Sequence, residues 1–343
     1  MHMAITIEDV AKKAGVSIAT VSRVINGTKA VSPKLERRVL EAIDETNFKP
    51  NKFAQGLTTN QSNIIGVIVT DISNWVVASV IKGANSVCQE NNYTLLVCES
   101  GGDPDREKAL LLQLSEQKAA GALFAGLDIT EDITESMMRT EYPVVLVTQE
   151  AADGKHALNT VIHDNVSAMV DAVNFLHVNG HRKIALIGGP ENDYSSGIQR
   201  LKGFRKAMDE LGLAIPESYI LHGDFSYESG YNCMKQLYEE NAVIPTAVLA
   251  CSDLMAIGAI SCADALHLAV PQDISVMGFD DSEMAMFYRP SLSTVRIPYF
   301  DEGKQAAETL FRLIHEGEKT TGEIEYVNHK IIRRMSVRNI SGQ

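Results

Sequence analysis

The sequence predicts a small all-α head followed by an α/β body of two doubly wound lobes. Three observations carry this. Residues 6 to 26, TIEDVAKKAGVSIATVSRVIN, have the spacing of two short helices joined at Gly15-Val16. Pro50-Asn51 and the stretch TTNQSN then interrupt the pattern with linker composition. From Ile64 onward, short apolar runs alternate with amphipathic stretches of about 12 to 18 residues, as parallel strands covered by helices on both faces require. The boundaries follow as a head at 4–50, a hinge and linker at 51–62, and a body at 63–340.

In the head, Thr6 is suited to cap the first helix, with Asp9 in the first turn. Ile7, Val10, Ala11 and Ala14 form its inner face. Ser17 caps the second helix, where Val16, Val21, Val24 and Ile25 point inward. Ile18, Ala19, Ser22 and Arg23 are left facing outward. Ser32-Pro33 opens a third helix to about Thr46, with Leu35, Val39, Ala42 and Ile43 inward. Small, polar and cationic residues on the outer face of a second helix form the layout of a helix-turn-helix unit that reads DNA. The segment KFAQGLT after Asn51 is only about two turns long, and Gly56 weakens it further, so its helix is expected to form only on DNA.

Charge is divided in the same way. The whole chain carries −13. Residues 1–62 hold nine Lys/Arg against six Asp/Glu, a head of +3 on a remainder of −16. A basic head on an acidic body keeps phosphate attraction local. No window is apolar enough to span a membrane, and no signal-peptide pattern opens the chain. The five cysteines are scattered without a C-x-x-C pair, as reduced thiols of a cytoplasmic protein would be. There is no G-x-S-x-G elbow, Walker A pattern or H-E-x-x-H, so no catalytic residue, metal or cofactor is expected. His163 and His181 read as lone structural histidines.

The body divides near Val161, giving a first lobe of 63–161 with 293–322 and a second of 162–292 with 323–340. Ligands in such folds sit at the carboxyl ends of the strands, here between the lobes. Asp71 and Trp75 follow the first strand, and the indole of Trp75, the only tryptophan, suits stacking on a sugar or a base. Asp280 follows the run ISVMGF, where an acceptor-only carboxylate suits vicinal hydroxyls.

The motifs DVA-x-x-AGVS-x-ATVSRV-x-N and PN-x-x-A-x-x-L, with GHRKIALIGGP, TAVLACSD, ISVMGFDD and RPSLSTVRIP further on, closely resemble the LacI/GalR family of bacterial transcription regulators over residues 4 to 338. The resemblance implies a periplasmic-binding-protein-like body. It implies that Ile18, Ala19 and Arg23 face base edges. Thr6, Ser17, Thr20, Ser22, Asn26 and Asn51 would hold phosphates. Ala54 belongs to the hinge motif, and Leu57 would wedge into the minor groove. Trp75, Thr148, Arg200, Phe225, Ser252, Asp253, Asp280 and Tyr299, with Asp71, would line an effector site. Ser252, Ile297 and Thr148 depart from the asparagine, glutamine and acid of some sugar-binding relatives.

The function so implied is a cytoplasmic repressor of carbohydrate genes. It would bind a pseudo-palindromic operator as a homodimer or tetramer, under control of a sugar or sugar phosphate. In some relatives a phosphoprotein co-regulator binds the body. The alternative is a soluble sugar-binding module with no DNA role, which the body alone would permit.

Overall fold

The computed structural model describes residues 5–26, 31–46, 48, 62–151, 158–240 and 244–342. The chain divides into two units, Met1–Asn63 and Ile64–Gln343.

In the first unit α1 (Ile7–Ala14), α2 (Ile18–Asn26) and α3 (Pro33–Thr46) surround a core of Val10, Ala11, Ala14, Val21, Val39 and Ala42. Thr6 and Asp9 form a reciprocal capping box. The Thr6 amide donates to Asp9 Oδ2 at 2.8 Å, and the Asp9 amide donates to Thr6 Oγ1 at 3.4 Å. Gly15 ends α1 in the left-handed region at φ 60°. Arg38 Nη2 donates to the Ala14 carbonyl at 2.6 Å, and a Cβ on Gly15 would lie 2.6 Å from that same nitrogen. Both the backbone angle and the close guanidinium therefore call for glycine. Ser17 Oγ accepts the Thr20 amide at 3.2 Å and opens α2. The expected inward set recurs, with Phe48 added; Leu35 is half-buried and outside the cluster.

The second unit holds two six-stranded sheets. The first contains β1 (Ile64–Val69), β2 (Thr94–Glu99), β3 (Gly121–Ala125), β4 (Val144–Val147), β5 (Asn159–His163) and β11 (Ile324–Val327), in the order β11-β5-β4-β3-β1-β2. All its pairings are parallel. The second contains β6 (Ile184–Gly188), β7 (Ile220–His222), β8 (Ala247–Ala250), β9 (Ser275–Asp280), β10 (Ser293–Arg296) and β12 (Lys330–Ile332), in the order β12-β10-β9-β8-β6-β7. Among the described residues only β12 runs antiparallel, against β10. The central strands β1, β3, β4, β6, β8 and β9 are almost wholly buried, as continuous apolar runs demand.

The lobe boundaries differ from the sequence expectation at the last two crossings. Residues 293–296 were expected in the first lobe, yet β10 pairs with β9 in the second sheet. Residues 324–327 were expected in the second lobe, yet β11 pairs with β5 in the first. The reason is local. The run STVR is too polar to announce itself as a buried strand. Its Ser293 amide donates to Ser336 Oγ at 2.8 Å, and Thr294 Oγ1 donates to Asp253 Oδ1 at 2.6 Å. Those partners lie 43 and 41 residues away, beyond the reach of periodicity.

Two helices set the floor of the cleft. They are α4 (Trp75–Glu90) and α12 (Tyr299–Glu316), which cross in the first lobe. A Cβ on Gly83 would collide with the Phe300 carbonyl, and one on Gly303 with the Val80 carbonyl. This backbone-to-backbone approach brings the first residue of each helix, Trp75 and Tyr299, ring to ring.

Candidate functional site

The head presents an exposed polar and cationic face on α2. Ser17, Ile18, Ala19 and Arg23 are exposed, Ile18 by 46%, while Val21 on the opposite face is fully buried. Thr20 and Ser22 are half-buried. The Thr6 hydroxyl is engaged with Asp9 Oδ2 at 2.8 Å, and Ser17 Oγ lies 2.9 Å from Thr20 Oγ1. Asn26 is the last residue of α2. The Asn26 side chain, Asn51, Ala54 and Leu57 lie outside the described residues.

The body encloses a cavity of about 150 Å³ between the carboxyl ends of the two sheets. Seven of the nine effector candidates line it: Trp75, Thr148, Arg200, Phe225, Ser252, Asp280 and Tyr299. Trp75 is oriented by Asn74, whose Oδ1 accepts the Val76 amide at 2.9 Å to cap α4. The Trp75 and Tyr299 rings meet edge to face at 5.6 Å.

Arg200 enters from α8 (Gln199–Glu210) and is only 3% exposed. Its Nε donates to Asn165 Oδ1 at 2.7 Å and its Nη1 to the Cys251 carbonyl at 2.6 Å. The guanidinium lies 3.8 Å over the Phe279 ring. Facing it, Asp280 Oδ1 accepts from the Tyr299 hydroxyl at 2.7 Å. Burial raises the Asp280 carboxyl above the ordinary carboxylate range, an effect Arg200 and the Tyr299 hydroxyl oppose. Thr148, Phe225 and Asp280 all sit at positive φ (65°, 67° and 115°). Three non-glycine residues in that region around one cavity mark a backbone over-determined by its surroundings.

Two candidates are not brought to the cavity. Asp71 is exposed, and its Oδ1 accepts the Ser73 amide at 2.7 Å in a local turn. Asp253 is fully buried behind the wall, where Oδ2 accepts the Ser282 amide and Oδ1 the Thr294 hydroxyl, both at 2.6 Å. Its sequence position beside Ser252 misleads. Ser252 caps α10 (Asp253–Ala265), so the chain turns between the two side chains. Burial, then the nearby Asp280, push the Asp253 carboxyl up to about 7.

A raised carboxyl costs stability once it ionises. The wild-type unfolding free energy is therefore expected to fall as pH rises from about 4 to about 7. Asp253→Asn should flatten part of that slope in urea melts at several pH values, at a cost of about 1 kcal/mol at low pH, where Thr294 Oγ1 can turn to accept from the new amide.

The structure adds residues that the sequence reading did not select. Asp193 is buried and caps a single π-turn at Tyr194–Ile198, accepting the Ser196 amide at 2.8 Å. Burial raises its carboxyl, and the Ser196 amide and Arg200 work against that. Gln149 and Asn74 also line the cavity. None of these carries a periodic signal, since each lies in a connection between regular elements. His163, read as structural, lines the cavity as well. Its signal was available, because it ends a strand just as Asp280 does. His181, by contrast, pairs with Thr246 Oγ1 at 3.0 Å and the Arg338 carbonyl at 3.2 Å, away from the cavity.

Comparison with known proteins places both units. Residues 6–51 match the family described as bacterial regulatory proteins, lacI family, and residues 173–337 match the periplasmic binding protein-like domain. The chain is 33% identical over 336 residues to catabolite control protein A of Priestia megaterium, covering 98% of this chain and 100% of that protein. It is 36% identical over 332 residues to the HTH-type transcriptional repressor PurR of Histophilus somni, covering 96% and 98%. The lac repressor dimer bound to operator and the anti-inducer ONPF superposes with a TM-score of 0.89 at 27% identity, covering 98% of this chain and 100% of that one.

Proposed function

Because the chain belongs to the lacI family of bacterial regulatory proteins, and so is a DNA-binding transcription regulator with an effector-binding body, we propose that it represses carbohydrate genes under control of a neutral sugar. Its operator is a pseudo-palindrome gripped by two heads of a homodimer, since twofold protein symmetry calls for twofold DNA symmetry. Arg23, Ile18 and Ala19 meet base edges. Ser17, Thr20 and Ser22 hold phosphates, and Leu57 wedges the minor groove.

The observation that carries the effector reading is the cavity wall of Asp280, Tyr299 and Arg200 beside the Trp75 indole. A carboxylate oxygen and a guanidinium on one wall suit a vicinal diol, and aromatic rings suit the C–H face of a pyranose. The charge balance favours a neutral ligand over a sugar phosphate. Asp193 and Asp280 both face the space, and Arg200 already spends hydrogen bonds on Asn165 and Cys251.

The test is fluorescence titration. Trp75 is the only tryptophan, so the intrinsic signal reports on the cavity. The panel is D-glucose, D-galactose, D-ribose and cellobiose, with glucose 6-phosphate and free nucleobases. A neutral sugar is expected to change the emission and to shift operator affinity about 5- to 150-fold. A response confined to phosphates or nucleobases would replace this reading with theirs.

A further inference from the structure

A hydrogen bond joins the two lobes away from the chain crossings. The Glu150 amide donates at 3.0 Å to Oγ of Ser195, 45 residues further along the chain. Glu150 lies between β4 and β5 and so belongs to the first lobe. Ser195 lies between β6 and β7 and so belongs to the second. The chain itself crosses elsewhere, after β5, after β10 and after β11.

Both ends of this bond are built into segments that wall the cavity. On the second lobe, Ser195 stands in the π-turn Tyr194–Ile198, which the Ile198 amide closes on the Asp193 carbonyl at 2.8 Å. The Ser196 amide ties the turn to Asp193 Oδ1. A Cβ on Gly197 would lie 2.0 Å from the Pro190 carbonyl oxygen, so glycine alone lets the turn lie this close to the chain after β6. A π-turn inserts one residue into the helical path and recurs at functional sites. Here Asp193, Ser196 and Arg200 face the cavity, while Ser195 is 1% exposed and its oxygen meets the other lobe. On the first lobe, Thr148, at φ 65°, and Gln149 line the cavity, and Glu150 follows directly. Each segment thus carries ligand-facing groups and one end of the bond. Parting the lobes at this point exchanges the bond for water, so it biases closure by about 2- to 10-fold, the net value of one hydrogen bond.

Resting on the effector reading above, we propose that Ser195 is a clasp. Its hydroxyl holds the lobes together and thereby sets effector and operator affinity without lining the cavity. A ligand walled by groups of both lobes binds the closed arrangement better, so ligand and clasp favour the same state. Removing the clasp therefore acts as the opposite of adding the effector, whichever way the effector drives operator binding.

The experiment compares the full-length wild type with Ser195→Ala and with Ser196→Ala, which removes a cavity-facing residue's hydroxyl from the same turn. First, acrylamide quenching of Trp75, the only tryptophan, is measured without sugar. Ser195→Ala should raise the quenching constant and Ser196→Ala should not. Ser195→Cys keeps a weak acceptor in place and should fall between wild type and alanine. Second, D-glucose, D-galactose, D-ribose and cellobiose are titrated, and Ser195→Ala should bind the tightest of them up to about tenfold more weakly. Third, without sugar, the affinity of Ser195→Ala for an operator selected from randomised duplexes should move against the direction in which that sugar moves the wild type. A quenching constant that Ser195→Ala leaves unchanged, or that Ser196→Ala raises equally, overturns the proposal. So does an operator shift in the same direction as the sugar's. Silence of all four sugars with the quenching difference intact overturns the sugar reading instead and keeps the clasp.

Discussion

Arg200→Ala is expected to remove the effector response while leaving operator binding by the ligand-free protein in place. Arg200 touches the cavity and three structural partners at once, namely Asn165 Oδ1, the Cys251 carbonyl and the Phe279 ring. Hydrogen bonds to a charged group contribute about 1.5–3 kcal/mol each, so losing two from the ligand predicts about a 100-fold or greater fall in affinity. The substitution also leaves Asn165 and Cys251 short of a donor and Asp280 without its nearby cation. A lower unfolding midpoint accompanies the loss. Arg200→Lys separates the two effects. A lysine keeps the charge but cannot fork between Asn165, Cys251 and a ligand. It should recover much of the stability and little of the affinity. Trp75 titration and thermal melts of the three proteins read this directly. A variant that melts lower but binds sugar unchanged would reduce Arg200 to a structural role.

Arg23→Ala is expected to cost about 1–3 kcal/mol of operator affinity, roughly 5- to 150-fold, concentrated at one base pair per half-site. The guanidinium stands on the exposed face of α2, and no pairing among the described residues holds it back. The opposite face is closed by Val21 at 0% exposure, so truncating Arg23 leaves the head folded. The operator is obtained by selection from randomised duplexes with the wild-type protein. Anisotropy titrations of the variant against single-base changes in that operator then show where discrimination is lost. A uniform loss across all sequences, with a salt slope lower by about one, would instead assign Arg23 to a phosphate.

The two halves of the molecule differ in how far sequence reasoning reaches. In the head nearly everything is local. Thr6, Asp9, Gly15 and Ser17 act within one helical turn of where they stand, and one amphipathic stripe specifies both the core and the outward face. Phe48 joining the core and Arg38 reaching the Ala14 carbonyl beside Gly15 from 24 residues away are the exceptions. In the body, the apolar runs announced both sheets, and strand ends pointed to Trp75 and Asp280. The order of the last strands was not readable, because STVR is buried through partners more than 40 residues away.

The cavity shows the same division. Strand-end position alone selects Trp75 and Asp280, but it also selects Asp71, which turns back on its own loop, and it passes over Asp193, which a single π-turn carries inward.

By itself, then, the chain determined the helix-turn-helix head of a DNA-binding regulator and a parallel two-lobed body. Each of these depends on spacing of 3.6 or two residues and on caps that act over a few positions. Tertiary structure alone decided which lobe owns β10 and β11, and that Asp253 bonds Ser282 and Thr294 behind the cavity wall. It alone decided that His163 meets Glu302 beneath the cavity, 139 residues away along the chain. Those outcomes rest on hydrogen bonds between buried polar groups. Such groups find whichever partner the packed helices bring within about 3 Å, and periodicity carries no record of that choice.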